Sequence, residues 1–172
     1  MIVYDMIDTP VGELLLTATA EGLTGVHFQK ASGGHRPEPG WQRARALSGA
    51  ASSAIAAARA ELDAYFAGKL TKFTLPLAAT GTPFQQRVWT ALRDIAFGET
   101  ISYLELARRL GDPKAVRAVG GANGRNPIPV IVPCHRVIGA DGSLTGFGGG
   151  IERKRWLLRH EGALPEGLQL SF

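Results

Sequence analysis

The sequence predicts a mixed α/β (α+β) fold: a small N-terminal antiparallel sheet with a helix over residues 1–80, and a mostly α-helical part over residues 81–172. Three observations carry that reading. Residues 1–28 alternate apolar and polar side chains between tight turns, the two-residue period of half-buried strands. Residues 48–66 and several segments beyond residue 82 repeat apolar side chains at helical spacing instead. Residues 78–81 (Ala-Ala-Thr-Gly) follow neither pattern and mark the boundary.

Residues 1–7 read as the first strand and Thr9-Pro10-Val11-Gly12 as a turn. Residues 13–19 give a second strand, Ala20-Glu21-Gly22 another turn, and residues 23–28 a third strand. Residues 31–40, broken by glycine and proline, form an irregular loop. The alanine-rich stretch 48–66 is a helix that stops at Gly68. Residues 70–77 are expected to add one more strand.

Beyond the boundary, Thr82 is placed to cap a helix with Pro83 at its first position. Phe84, Val88, Trp89 and Leu92 form its apolar stripe, which runs on to Ile95, and Gly98 ends the segment. Ser102 caps a short helix, 103–110, stopped by Gly111. Asp112 is expected to cap the next, with Pro113 first, running to about residue 122. Helix, glycine turn, helix is a helix-turn-helix pattern, although many helix pairs with no nucleic-acid role share it. Pro127, Pro129 and Pro133 forbid a regular helix over 126–133. A tight turn at 139–142, a glycine-rich loop at 144–150 and a last helix at 151–160 follow, with Trp156 and Leu157 on that helix's apolar side.

Composition narrows the function classes. With 172 residues, 45% of them hydrophobic and 20% charged, the chain has enough apolar surface for a core without a metal or disulfide. No uninterrupted apolar run is long enough for a membrane span, and the first residues lack a secretion leader. A single cysteine makes neither an internal disulfide nor a cysteine-rich zinc site. The expectation is a reducing, cytoplasmic setting, with no metal and no cofactor. Charge is unevenly spread. Residues 1–80 hold seven basic and seven acidic side chains, whereas residues 81–172 hold twelve and eight and so carry the whole net charge of +4. Arg108, Arg109, Lys114, Arg117, Arg125 and Arg136 cluster with one acid, Asp112. Such a stretch suits a polyanion, and equally a solvated cationic face.

Cys134 is the candidate nucleophile. A lone cysteine is most often a small buried hydrophobe. This one closes a proline-punctuated segment of fixed shape and is followed by His135 and Arg136, either of which could favour the thiolate. Neighbouring side chains often point apart, so an imidazole–sulfur link could need a water between them. Glu161, after the last helix, could orient His135 in a nucleophile–base–acid arrangement, or be a plain helix-end residue.

Pro133-Cys134-His135-Arg136-Val137, preceded by Ile128-Pro129-Val130-Ile131-Val132, resembles the active-site signature of O6-alkylguanine-DNA alkyltransferases. Pro83-Phe84-Gln85-Gln86-Arg87-Val88-Trp89 is similar to the opening of that family's C-terminal domain. Gly98-Glu99-Thr100-Ile101-Ser102-Tyr103 and Pro113-Lys114-Ala115-Val116-Arg117-Ala118-Val119-Gly120 are similar to its DNA-binding helices. Asn123-Gly124-Arg125-Asn126-Pro127, Gly146-Phe147-Gly148-Gly149-Gly150 and Trp156-Leu157-Leu158-Arg159-His160-Glu161-Gly162 fit as well. The resemblance is strong over residues 83–162; residues 1–80 match only as a meander plus helix.

The resemblance implies single-use transfer of an alkyl group from O6-alkylguanine, and from O4-alkylthymine, to Cys134, with double-stranded DNA bound through its minor groove by a monomer. His135, through water, and Glu161 would keep sulfur deprotonated. Tyr103 would give a proton to the departing base, and Asn126 would brace the hinge before the active-site segment. Arg117 would fill the gap left by a base swung out of the stack, since a base inside the duplex is out of reach. Small Ala118 and Gly120 would let the helix approach the backbone, with Lys114 and Arg125 on phosphates. Val137 and Gly148 would meet the base through main-chain groups, with Gly149 permitting close approach and Phe147 as an apolar wall. Where some relatives have tyrosine this chain has Phe147, so a hydroxyl contact is missing. The N-terminal zinc ligands and fused regulatory domain of other relatives are missing too, as in the stand-alone bacterial type.

Three rival readings remain at this level. A cysteine hydrolase on Cys134, His135 and Glu161 would turn over, whereas a thioether does not hydrolyse. A module that recognises alkylated bases without repairing them would not need Cys134. A helix-turn-helix transcription factor would need a dimer and larger side chains for major-groove readout than this glycine-rich helix carries.

Overall fold

A computed structural model of the chain describes residues 1–29, 34–46, 48–144 and 147–164. The chain divides into two compact units, Met1–Thr80 and Gly81–Phe172.

In the first unit, β1 (Val3–Thr9), β2 (Gly12–Thr19) and β3 (Gly22–Phe28) form an antiparallel meander. A two-residue strand that the alternation pattern does not reveal, β4 (Gln42–Arg43), adds parallel to β1, giving the order β3-β2-β1-β4. Helix α1 (Ala50–Phe66) packs across β1, β2 and β3 with Ala54, Ile55, Ala58, Leu62 and Tyr65 buried. It ends where Gly68, at φ 76°, lets its own N–H reach Tyr65 O at 3.0 Å and the Lys69 N–H reach Ala64 O at 2.8 Å. The buried carboxylate of Asp5 is held by Arg59 at 2.7 Å and Arg43 at 3.4 Å, as a charge withdrawn from water must be.

Residues 70–77 do not form the expected strand. Only Leu77 pairs, in one bridge to Leu23. Pro76 has no N–H to give a ladder. Glu61 of α1 takes the N–H groups of Thr74 and Leu75, at 3.0 and 3.3 Å, that a neighbouring strand would have used. Of the loop expected at 31–40, residues 31–33 lie outside the described residues.

The second unit opens on α2 (Pro83–Leu92). Thr82 and Gln85 cap it reciprocally, through Gln85 N–H to Thr82 Oγ1 at 3.1 Å and Thr82 N–H to Gln85 Oε1 at 2.9 Å. The apolar stripe continues to Ile95, but the helix tightens after Leu92 as Arg93, Asp94 and Ile95 bond to carbonyls three residues back. After Gly98 comes β5 (Ile101–Ser102), which pairs in parallel with β6 (Val137–Ile138). Ser102 then caps α3 (Tyr103–Arg109), accepting from the Glu105 N–H at 3.0 Å.

Helix α4 (Val116–Gly124) starts later than the Asp112-Pro113 pair suggests. Asp112 Oδ1 accepts from the Lys114 N–H at 3.3 Å and Asp112 O from the Ala115 N–H at 3.0 Å, so Asp112 makes a local turn instead of capping α4. Both α2 and α3 pack on α4, and Trp89 Nε1 donates to Ala122 O at 2.9 Å.

Helix α5 (Ile151–His160) closes the unit. Its buried side chains are Lys154, Leu157 and Leu158, whereas Trp156 lies half-buried and stacked on His160, ring centroids 4.9 Å apart. Trp156 is therefore not on the core-facing stripe; Lys154 is. No helix among the described residues is long and apolar enough to cross a membrane.

Candidate active site

Prolines shape the segment that leads to Cys134. Asn126 pins it: Nδ2 donates to Val132 O at 2.8 Å and Oδ1 accepts from the Ile128 N–H at 3.0 Å. Between them Val130 sits at φ 72°, a left-handed conformation costly for a β-branched residue. The chain then turns tightly, with Cys134 N–H on Val132 O at 2.8 Å, into a single 3-10 turn, Cys134–Arg136, that leads directly into β6.

That 3-10 turn sends consecutive side chains to different places. Cys134, His135 and Arg136 are all buried. His135 Nε2 lies 2.7 Å from Glu161 Oε2. Arg136 grips the same carboxylate, with Nε on Oε1 at 2.7 Å and Nη2 on Oε2 at 3.0 Å, while Nη1 donates to Ile95 O at 2.6 Å. Glu161 is thus the hub of a buried pair of cationic or polar partners, not a helix-end surface residue. Arg136, read from sequence as a possible thiolate partner, is committed to Glu161.

The electrostatics follow. Burial alone would raise the Glu161 carboxyl, but hydrogen bonds and charge from His135 and Arg136 outweigh it and hold it down to about 2. Burial lowers the His135 imidazole, against the pull of Glu161. A neutral His135 facing an ionised Glu161 donates through Nε2–H, which leaves Nδ1 as a bare acceptor. Nδ1 is buried and has no hydrogen-bond partner among the described residues. Burial pushes the Cys134 thiol up to about 11, while hydrogen bonding from Asn126 and the charge of Lys154 draw it back. The resting sulfur is therefore a thiol, where adjacency in sequence had suggested a thiolate.

Two further residues belong here that sequence reasoning missed. Lys154 is fully buried, and its Nζ donates to Val137 O at 2.6 Å. Its spacing with Leu157 and Leu158 is the i, i+3, i+4 pattern of a buried face, the one signal that could have found it. Asn123, buried on α4, reaches Cys134 O at 3.5 Å.

Other candidates take their places around this centre. Tyr103, half-buried at the start of α3, has ring atoms 3.7 and 3.9 Å from where a Cβ on Gly120 would lie, so it packs against α4. Arg117 and Ala118 on α4 are exposed, as are Lys114 before it and Arg125 after it. Val137 is buried, and Phe147 and Gly149 are half-buried. Gly148 is exposed, and a Cβ there would lie 3.8 Å from Gly124 O, at the end of α4. Gly146 lies outside the described residues. Among the described residues no group of three or more His, Cys, Asp or Glu side chains is placed to hold a metal ion.

Fold and site together define a two-part protein with a buried cysteine and a small, glycine-rich helix that exposes Arg117 and is flanked by exposed Lys114 and Arg125. Residues 2–79 match the 6-O-methylguanine DNA methyltransferase ribonuclease-like domain, and residues 83–163 match the DNA binding domain of the same family. The chain belongs to the 6-O-methylguanine DNA methyltransferase family. It is 50% identical over 166 residues to a methylated-DNA--protein-cysteine methyltransferase of Mycobacterium tuberculosis, covering 94% of this chain and 93% of the relative. It is 46% identical over 160 residues to one from Methanosarcina acetivorans, covering 93% and 98%. The crystal structure of Mycobacterium tuberculosis OGT in complex with DNA is similar at 48% identity and a TM-score of 0.81, over 94% of this chain and 93% of that one.

Proposed function

We propose that this protein repairs O6-alkylguanine, and O4-alkylthymine, in double-stranded DNA by moving the alkyl group irreversibly onto Cys134. The observation that carries the reading is the chain's only thiol, buried and followed in sequence by a histidine whose imidazole Glu161 holds, in a member of this family. The sulfur proton passes through a water to His135 Nδ1. The S–C bond then forms as the C–O6 bond breaks, and the electron pair leaves with the base. Tyr103 donates a proton to that base as negative charge builds on it. Because a thioether does not hydrolyse, each molecule acts once.

Helices α3 and α4 act as a helix-turn-helix on the minor groove. Arg117 fills the stack from which the target base has swung, Ala118 and Gly120 permit close approach, and Lys114 and Arg125 meet phosphates. Asn126 holds the hinge. The base rests on Phe147 and meets main-chain groups of Val137 and Gly148, with Gly149 beside them. The Val137 carbonyl accepts from Lys154, and a guanine amine would share it. The protein works as a cytoplasmic monomer without a cofactor.

Intact mass and peptide mapping after incubation with a duplex holding one O6-methylguanine test the reading. One methyl gained per chain, on Cys134 and matched by loss of the lesion, is the expected result. Lesion-selective binding without a mass gain would make this a recognition module, and regeneration of free thiol would make it a hydrolase.

A further inference from the structure

Residues 1–80 are electrically balanced in sequence, yet the fold sorts their charges. Three of the seven basic side chains converge on one acid, the buried carboxylate of Asp5 on β1. Arg59 reaches it from α1, with Nη1 donating to Oδ2 at 2.7 Å. Arg43 reaches it from the edge strand β4, with Nη2 donating to Oδ1 at 3.4 Å. Arg45 comes from the 3-10 turn Ala44–Ala46, its Nε 3.7 Å from Oδ2, an ion contact without a hydrogen bond. The Met6 N–H adds a bond to Oδ1 at 2.9 Å. One guanidinium neutralises one carboxylate, so the cluster holds two positive charges in excess. The remaining four basic side chains of residues 1–80 are set against six acids, so the surplus is local.

Like charges drawn together repel one another unless further negative charge joins them. The Asp5 side chain is 4% exposed, whereas those of Arg43, Arg45 and Arg59 are 46, 63 and 38% exposed. The carboxylate thus anchors the guanidiniums from the protein side, and most of their N–H groups remain for an acceptor in solvent. The frame is built: Ser52 Oγ of α1 donates to Ala44 O at 3.4 Å, tying the turn that carries Arg45 to the helix that carries Arg59. Arg43 Cζ lies 6.0 Å from the centre of the Tyr4 ring, which has Trp41 6.5 Å away.

We propose that Arg43, Arg45 and Arg59 form a phosphate-binding site on the N-terminal unit, which takes a backbone phosphate of nucleic acid in addition to the contacts proposed for the second unit. A phosphodiester spreads its charge over oxygens that several guanidinium forks can share, which suits an approach from strand, turn and helix at once. Tyr4 and Trp41, half-buried beside Arg43, add the flat apolar surface that nucleic-acid sites place next to cations. The site reads charge and carries no base information. It depends neither on Cys134 nor on a lesion.

Nitrogen-15 in the arginine side chains, assigned with Arg43→Lys, Arg45→Lys and Arg59→Lys, follows each Nε by NMR. The wild-type chain is titrated with a lesion-free duplex, with inorganic phosphate and with polyglutamate. The Arg43 and Arg45 signals should shift with the duplex at far lower concentration than with inorganic phosphate, and least with polyglutamate. Signals that the duplex leaves unmoved would overturn the proposal, whether or not free phosphate moves them. Equal response to polyglutamate would overturn it too, by making the cluster a contact for acidic protein. In binding to the same duplex, Arg43→Ala/Arg45→Ala should lower the slope of log affinity against log salt by about 0.9, the share of one phosphate. Arg43→Lys/Arg45→Lys, which keeps the charge, should restore it. A wild-type slope in the alanine variant would overturn the proposal. Arg59 is left in place there because its short bond covers the buried carboxylate. If the alanine variant does not fold, the wild-type titration decides alone.

Discussion

Arg136 and Glu161 meet through two parallel bonds, 2.7 and 3.0 Å long, with both side chains almost wholly out of water. That pairing removes Arg136 from the sulfur's surroundings and fixes the carboxylate that orients His135.

The acid response of the fold follows from this pair. Glu161 is held at about 2, below its ordinary 4.5, so its contribution is fully present above pH 4.5 and is lost as the pH falls toward 2. His135 is lowered from 6.5 by burial, so the unfolded chain takes up a proton that the folded chain refuses, and stability begins to fall below pH 6.5. Both act in the same sense. Denaturant titrations between pH 7 and 3 should show a steady loss for wild type, on the order of 2 kcal/mol of it assignable to Glu161. Glu161→Gln leaves Arg136 buried without its anion. It should cost about 3–5 kcal/mol at pH 7 and flatten the acid limb. An acid limb equally steep in Glu161→Gln would show that other carboxylates set it.

The loop before Cys134 holds a left-handed valine, and Asn126 ties it on both sides. Asn126→Ala frees Val132 O and the Ile128 N–H, which should lower stability by about 2 kcal/mol, at about 1 kcal/mol for each hydrogen bond. Val130, at φ 72°, is then free to relax, and transfer to Cys134 should slow in single-turnover assays. A variant with the stability loss but an unaltered rate would make Asn126 a purely structural clamp.

The roles proposed for exposed Arg117 and its neighbours predict two kinds of DNA contact that can be told apart. Arg117→Ala should slow repair of duplex O6-methylguanine on the order of tenfold, a loss of about 1.4 kcal/mol, while barely changing reaction with free O6-benzylguanine. Equal slowing on both substrates would remove the stack-filling role. Lys114→Ala and Arg125→Ala should each reduce the slope of log affinity against log salt by about 0.9. Slopes that match wild type would place those side chains off the phosphates.

Local signals carried the elements that local chemistry decides. Thr82, Pro83 and Gln85 announce the start of α2, Ser102 that of α3, and Gly68 and Gly111 the stops of α1 and α3, because caps and left-handed turns are written in adjacent residues, whereas α2 ends at Leu92, before Gly98. What could not be read depends on partners distant in the chain. Residues 70–77 look like a strand until Glu61 takes their N–H groups. Asp112-Pro113 looks like a helix start until the Asp112 side chain closes a turn of its own. At the site, Cys134, His135, Glu161 and Asn126 stood out by motif, but their electrostatics did not. Adjacency offered His135 and Arg136 to the sulfur, whereas the 3-10 turn delivers both to a carboxylate 26 and 25 residues on. Lys154 resembles any solvated helix lysine until α5 is seen to turn it inward.

Burial of Cys134 also governs which bystanders can react with it. Folding lifts this thiol to about 11, above the ordinary 9.0, so a resting molecule offers cellular oxidants and small free electrophiles very little thiolate. An unfolded copy presents an unshielded thiol. If each molecule is used only once, as proposed, burial keeps its shelf life by withholding its reactivity, and a chain that loses its tertiary structure is exposed to indiscriminate oxidation as well as to loss of its site.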